Sequence, residues 1–106
     1  VVADAQGKIM YSVKVHKVGS DVLVACCDKS ILGSRFNSDE LELHVNERFY
    51  GGEVVGEEDL IDMISDATVA NLLGDGVIDM AVRRGIIEQS AVREICGVKH
   101  AQLFVV

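Results

Sequence analysis

The side chains of this chain that could do chemistry are three histidines, three cysteines, two tyrosines and a dense set of carboxylates. Cys26, Cys27, Cys96 and His100 are residue types that hold zinc. Neighbouring residues of a strand point to opposite faces, so Cys26 and Cys27 cannot chelate one ion together. Cys96-x-x-x-His100 is half a site with no matching pair, and buried reduced thiols are the commoner explanation. Asp59, Asp62 and Asp66, with Glu58 beside them, fall on one helix face. A hard cation such as Mg²⁺ is conceivable there, but a solvated face is the ordinary outcome. Neither a metal nor a cofactor is expected. His16 and His44 fall on the polar faces of strands. His100 differs, standing in the run Gly97-Val98-Lys99-His100-Ala101-Gln102 with Arg93 nearby. No nucleophile is linked to it by spacing, so catalysis is the weaker expectation.

Two glycine patterns invite a phosphate-binding reading, and both fail. Gly51-Gly52-x-x-x-Gly56 lacks the Gly-Lys-Ser/Thr ending, and Glu57, Glu58 and Asp59 would repel an anion at the helix start. Gly74-x-Gly76 has Asp79 where the third glycine of a dinucleotide fingerprint belongs. Positive φ in turns is the expected use of these glycines.

The elements that must position these groups are read from periodicity. Ile9 to Val18 alternates as a half-buried strand, and Gly19-Ser20 is hairpin chemistry leading to the apolar run Val22 to Cys27. That run lacks alternation, which suits a central strand covered on both faces. Asp28 to Gly33 reads as a helical turn or tight loop. Leu41, Leu43 and Val45 alternate as a third strand, and Glu53 to Val55 reads as a short edge strand. From Glu57 the residues Leu60, Met63, Ile64, Ala67, Val69 or Ala70, and then Leu72 keep a helical stripe that predicts a helix to Leu73, stopped by Gly74. Asn71 interrupts its apolar face. Asp75 can cap a second helix ending on Arg83, Arg84 and Gly85. Val92 to Ile95 is a strand or a further helical turn, and Leu103 to Val106 an apolar terminal strand. The expected fold is α+β: a small two-layer domain, mainly an antiparallel sheet with two helices packed on one face. Residues 1–7 are expected to be a tag or disordered, and residues 8–106 one domain.

Bulk composition bounds the function. At 106 residues and 49% hydrophobic, the chain can build one real core. The longest apolar run is six residues, against about 20 for a membrane-spanning helix. The odd cysteine count suits reduced thiols and a cytosolic protein. The net charge of −7 comes largely from residues 53–66, which hold six acids and no base. This balance gives no general affinity for nucleic acid, although a local basic patch is compatible with it.

Three segments, FYGG at 49–52, ATVANLLG at 67–74 and GVKHAQ at 97–102, occur in an order and at distances that resemble a small archaeal family, domain of unknown function 424. The resemblance covers nearly the whole chain, from about Lys8 to Phe104. The family's last motif usually carries proline where this chain has Lys99. The resemblance implies an archaeal, cytosolic, single-domain protein with a loose link to translation or RNA metabolism, and brings no established activity.

The leading expectation is a non-enzymatic binding or adaptor module for a protein or RNA partner. Its expected binding residues are Phe49, Tyr50, Gly51, Gly52, Asn71, Lys99, His100 and Gln102. One expected surface joins Glu57, Glu58 and Asp59 to the FYGG loop; another gathers Arg83, Arg84, Arg93, Lys99 and His100. The alternative is a small enzyme or ligand-binding domain with Tyr50, Asn71 and His100 converging on a pocket. A third expectation is self-association through a sheet edge or the terminal strand.

Overall fold

The computed structural model describes residues 9–105, so the expected tag or disordered segment 1–7 and Val106 lie outside the described residues. Strands β1 (Tyr11–Val18) and β2 (Asp21–Asp28) form an antiparallel hairpin closed by Val18 opposite Asp21, with Gly19 at φ +60°. After a 3₁₀ turn at Lys29–Ile31 come β3 (Arg35–Asn37) and β4 (Glu42–His44), which make a separate two-stranded sheet. A one-turn helix α1 (Glu47–Tyr50) follows, started by the Asn46 side chain accepting from the Arg48 amide. The chain continues through β5 (Glu53–Val55), α2 (Glu57–Ser65), β6 (Val69–Leu73), α3 (Asp75–Arg83), β7 (Arg93–Ile95) and β8 (Val98–Phe104).

The main sheet has the order β5-β1-β2-β6-β8-β7 and is antiparallel except for the central pair β2–β6. Helices α2 and α3 pack on one face against Tyr11, Val13, Val24, Cys26, Leu72 and Ala101. On the other face the small sheet and α1 enclose a second cluster that includes Ala25, Cys27, Val45, Tyr50, Leu73 and Val98. Cys26 and Cys27 therefore sit in different cores, both fully buried. No helix among the described residues is long and apolar enough to cross a membrane.

The structure corrects the element boundaries in one important place. The helix expected to run from Glu57 to Leu73 ends at Ser65, and Ala67 to Gly74 is not helical. Its apolar residues continue as β6, buried on both faces, so the alternation that normally marks a strand is missing. Thr68 sets the new direction: its amide donates to Val22 O and its hydroxyl accepts from the Val22 amide, both at 2.8 Å. Gly74 is consequently the residue that opens α3, at φ +127°, and not the stop of a preceding helix. The terminal strand is longer than Leu103 to Val106, because the GVKHAQ motif belongs to β8.

A carboxylate ties this centre together. Asp28, at the end of β2 and only 3% exposed, accepts from the amides of Gly76 and Val77 at 2.8 Å each, capping α3 from a neighbouring strand. Gly74 is required beside it, since a Cβ there would lie 2.6 Å from Asp28 Oδ2. Asp28→Ala strands both amides at a buried helix start and is expected to cost about 1–3 kcal/mol in urea denaturation. Asp75→Ala, which removes an exposed carboxylate bonded to the Lys99 amide, is expected to cost clearly less.

Candidate functional site

Because side chains alternate along strands, register decides which residues share a surface. On the sheet face opposite α2 and α3 stand Ser12, Lys14 and His16 of β1, Leu23 and Ala25 of β2, Asn71 of β6, and His100, Gln102 and Phe104 of β8. Helix α1 lies across the β1 end of this face. The Ser12 hydroxyl donates to Tyr50 O at 2.9 Å, and His16 Nε2–H donates to Phe49 O at 2.8 Å. The His16 ring also stacks on Phe49, with centroids 5.0 Å apart and planes 21° apart. His16 is thus a half-buried structural partner of α1 and not an idle exposed histidine.

From this anchored turn the Tyr50 ring reaches over β2, and its hydroxyl donates to Asn71 Oδ1 at 2.7 Å. Asn71 lies directly opposite Gln102, and His100 is its diagonal neighbour on the same face. Diagonal pairs of this kind are separated by about 7–8 Å. The hydroxyl fixes the Asn71 amide with its oxygen toward Tyr50, leaving the NH₂ group as a donor on the open face. The three residues of the expected pocket, Tyr50, Asn71 and His100, therefore do come together, with Gln102 beside them. They form a polar strip on a sheet. Two surface depressions, of 220 and 330 Å³, are lined by other residues apart from Phe104 in the second.

Gly51 and Gly52 serve this arrangement by closeness. Neither has positive φ; a Cβ on Gly51 would meet Glu47 O at 2.5 Å, and one on Gly52 would meet Val13 O at 2.6 Å. Phe49 is partly buried as the His16 platform, while Lys99 stands apart: it points to the helix side and pairs with Asp79 at 3.0 Å. The expected basic surface is accordingly divided between the two faces of the sheet.

The expected acidic surface is also corrected. Glu57 pairs with Arg83 at 2.6 Å and with Arg84 at 2.8 Å, and Glu58 pairs with Arg84 at 2.8 Å. The two surfaces read as separate meet where α2 begins and α3 ends. The Arg hydrogen bonds hold both glutamates below the usual carboxylate range. These exposed pairs add little stability individually.

Burial shifts the acid–base groups at the strip. Burial raises the Tyr50 phenol far above its ordinary range and pushes Cys27 up to about 12, so neither supplies an anion near neutrality. Burial holds His100 below the usual histidine range, leaving a neutral imidazole at pH 7. Among the described residues no three of His, Cys, Asp and Glu are grouped to hold a metal ion.

A family model described as a protein of unknown function (DUF424) matches residues 16–106. The chain belongs to that family. No curated protein matches it. A solved structure titled an uncharacterized conserved protein from Methanopyrus kandleri is similar at 24% identity over 92% of each chain, with a TM-score of 0.79, and so shares the DUF424 chain's fold.

The residues missed by sequence reasoning are Ser12, His16 and Asp28. A lone acid closing a six-residue apolar run was the available signal for Asp28. Tyr50→Phe is expected to lose about 0.5–1.5 kcal/mol of stability and to free the Asn71 side-chain amide, seen as changed NMR shifts of its NH₂ group. For His100, a depressed folded pKa means the unfolded chain takes the proton first on acidification. Its stabilising contribution is full above about pH 6.5 and is lost as pH falls through the folded value. Thermal melts between pH 7 and 5 are therefore expected to drop more steeply for the wild type than for His100→Gln.

Proposed function

We propose that this DUF424 protein is a non-enzymatic binding module whose recognition surface is the open half of the sheet face around Asn71, His100 and Gln102. The observation that carries this reading is the 2.7 Å bond from Tyr50 to Asn71, which joins the FYGG and ATVANLLG segments beside the GVKHAQ strand. A pre-oriented amide, a second amide and a neutral imidazole make a set of donors and acceptors suited to a planar polar group. Lys14 and Arg93 share the face with one acid, Asp21, a small excess of positive charge on an acidic chain. Exposed Phe104 adds an aromatic surface.

The partner is RNA or a protein, and a place in translation or RNA metabolism is taken from the family resemblance alone. Of the two, single-stranded RNA is the first probe, because sheets present bases to aromatic and amide side chains in this way. We further take the protein to be archaeal and cytoplasmic, in keeping with its free cysteines and its likeness to the Methanopyrus kandleri protein. The same Tyr50–Asn71 bond favours a second reading, a small-ligand site formed by Tyr50, Asn71 and His100.

Titration of the ¹⁵N-labelled protein with a mixed-sequence RNA oligonucleotide is expected to shift amides of Asn71, His100 and Gln102. Asn71→Ala is expected to weaken binding about tenfold or more, the loss of one to two good hydrogen bonds. Shifts confined to the helix side of the sheet, or none with RNA and none with cytosolic protein fractions, would remove this reading.

A further inference from the structure

The two edges of the main sheet are managed differently. At one end β5 covers only Tyr11 to Val13, so the outward backbone groups of Val15 and Lys17 are left at the edge. Lys14 and Lys17 flank that edge, the usual guard against strand-to-strand association. At the other end β7 covers only Val98 to His100. The bonds Gly74 N–H to Lys99 O and Val105 N–H to Thr68 O show that odd-numbered residues of β8 face β6. Alternation then turns the N–H and C=O of Gln102 and Phe104 outward. Among the described residues these groups have no hydrogen-bond partner. No charge guards them: Ala101 to Val105 reads AQLFV, and Phe104 is 75% exposed.

We propose that this edge pairs with the same edge of a second copy, antiparallel about a two-fold axis at Leu103. The segment is self-complementary in that register. Gln102 and the partner's Phe104 exchange N–H···O bonds, and the symmetric pair does the same. On the helix side Leu103 meets the partner's Leu103, and Ala101 meets the partner's Val105. These apolar pairs continue into the 330 Å³ groove formed with Ile61, Ile64 and Ile86. An isologous contact of this kind is the commonest basis of homodimers. The lack of charge matters for the choice of occupant, since two chains of net charge −7 can approach here without placing like charges opposite one another. Pairing stops at His100, where β7 already holds the edge, so the interface is short and the association weak.

The test is the molar mass of the purified chain by sedimentation equilibrium across a range on the order of 1 µM to 1 mM, where a weak dimer changes population. The mass is expected to rise from 11.5 kDa toward twice that value. Phe104→Lys, at an exposed side chain, is expected to move the midpoint at least about tenfold upward, since it removes the aromatic contact with the partner's Gln102 and sets two cations at diagonal positions across the seam. Gln102→Pro removes an outward N–H without touching the β6 ladder and is expected to act likewise. Hydrogen exchange of the Gln102 and Phe104 amides is expected to slow with rising protein concentration. A mass fixed at 11.5 kDa throughout would overturn the proposal, as would a dimer indifferent to Phe104→Lys. Protection of both amides in the monomer would overturn it too, because another segment of the chain would then cover the edge. Should Gln102→Pro fail to fold, Phe104→Lys and the exchange measurement decide. RNA binding by a chain whose mass stays at 11.5 kDa throughout the range would leave the proposed function standing while removing this one.

Discussion

The buried carboxylate of Asp28 is the contact on which the rest of the architecture depends. It ends β2, caps α3 and presses against Gly74 at the end of β6, so three central elements meet at one side chain. Burial pushes its pKa up, against the downward pull of the Gly76 and Val77 amides. A carboxyl with a raised folded pKa holds its proton more readily in the folded state than in the unfolded chain. Acid unfolding is therefore not driven from this residue. The helix dipole and two amides replace the water it gave up, which is why a charge-bearing side chain survives between two cores.

Around that centre, the sheet separates two kinds of work. The α2–α3 face is closed by apolar packing, with its charges paired across the ends of the two helices. The opposite face is only half covered, and the cover itself is polar at its margin. Ser12 and His16 hold the backbone of α1 to β1, and Tyr50 reaches to β6. Rigid strands thus carry the exposed amides, and a short turn fixes the orientation of one of them. Burial also sets the chemistry of this face, raising the Tyr50 phenol far above its ordinary range and holding His100 below the usual histidine range.

Much of this was legible in the sequence where one physical rule acted alone. Alternation gave β1, glycine gave the two-residue turn, and the acidic start and Arg83-Arg84-Gly85 end bounded α2 and α3 correctly at those points. Legibility failed where two rules overlapped. Val69 to Leu73 is buried on both faces, and its apolar spacing continued the helical stripe of α2, so Asn71 was assigned to the wrong element although its oddity was visible. β3 and α1 are too short to carry a period, and β8 hides behind polar residues that face the open strip. The pairing of Glu57 and Glu58 with Arg83 and Arg84 joins residues 26 or 27 apart and left no local trace. Asn71 stands out in the sequence as a polar residue inside an apolar segment, whereas Tyr50 and Gln102 stand out only through the segments that carry the family resemblance.

The position of β6 has a kinetic meaning as well. Both of its neighbours are remote in the chain: Ala25 of β2 on one side and Gln102 of β8 on the other bracket Asn71. The β1–β2 hairpin and the two helices can form from local contacts, but β6 must wait for two long loops to close. Until then a five-residue apolar strand is without partners. Pairing of the strand that carries Asn71 therefore bears a large loop-closure cost on both of its sides.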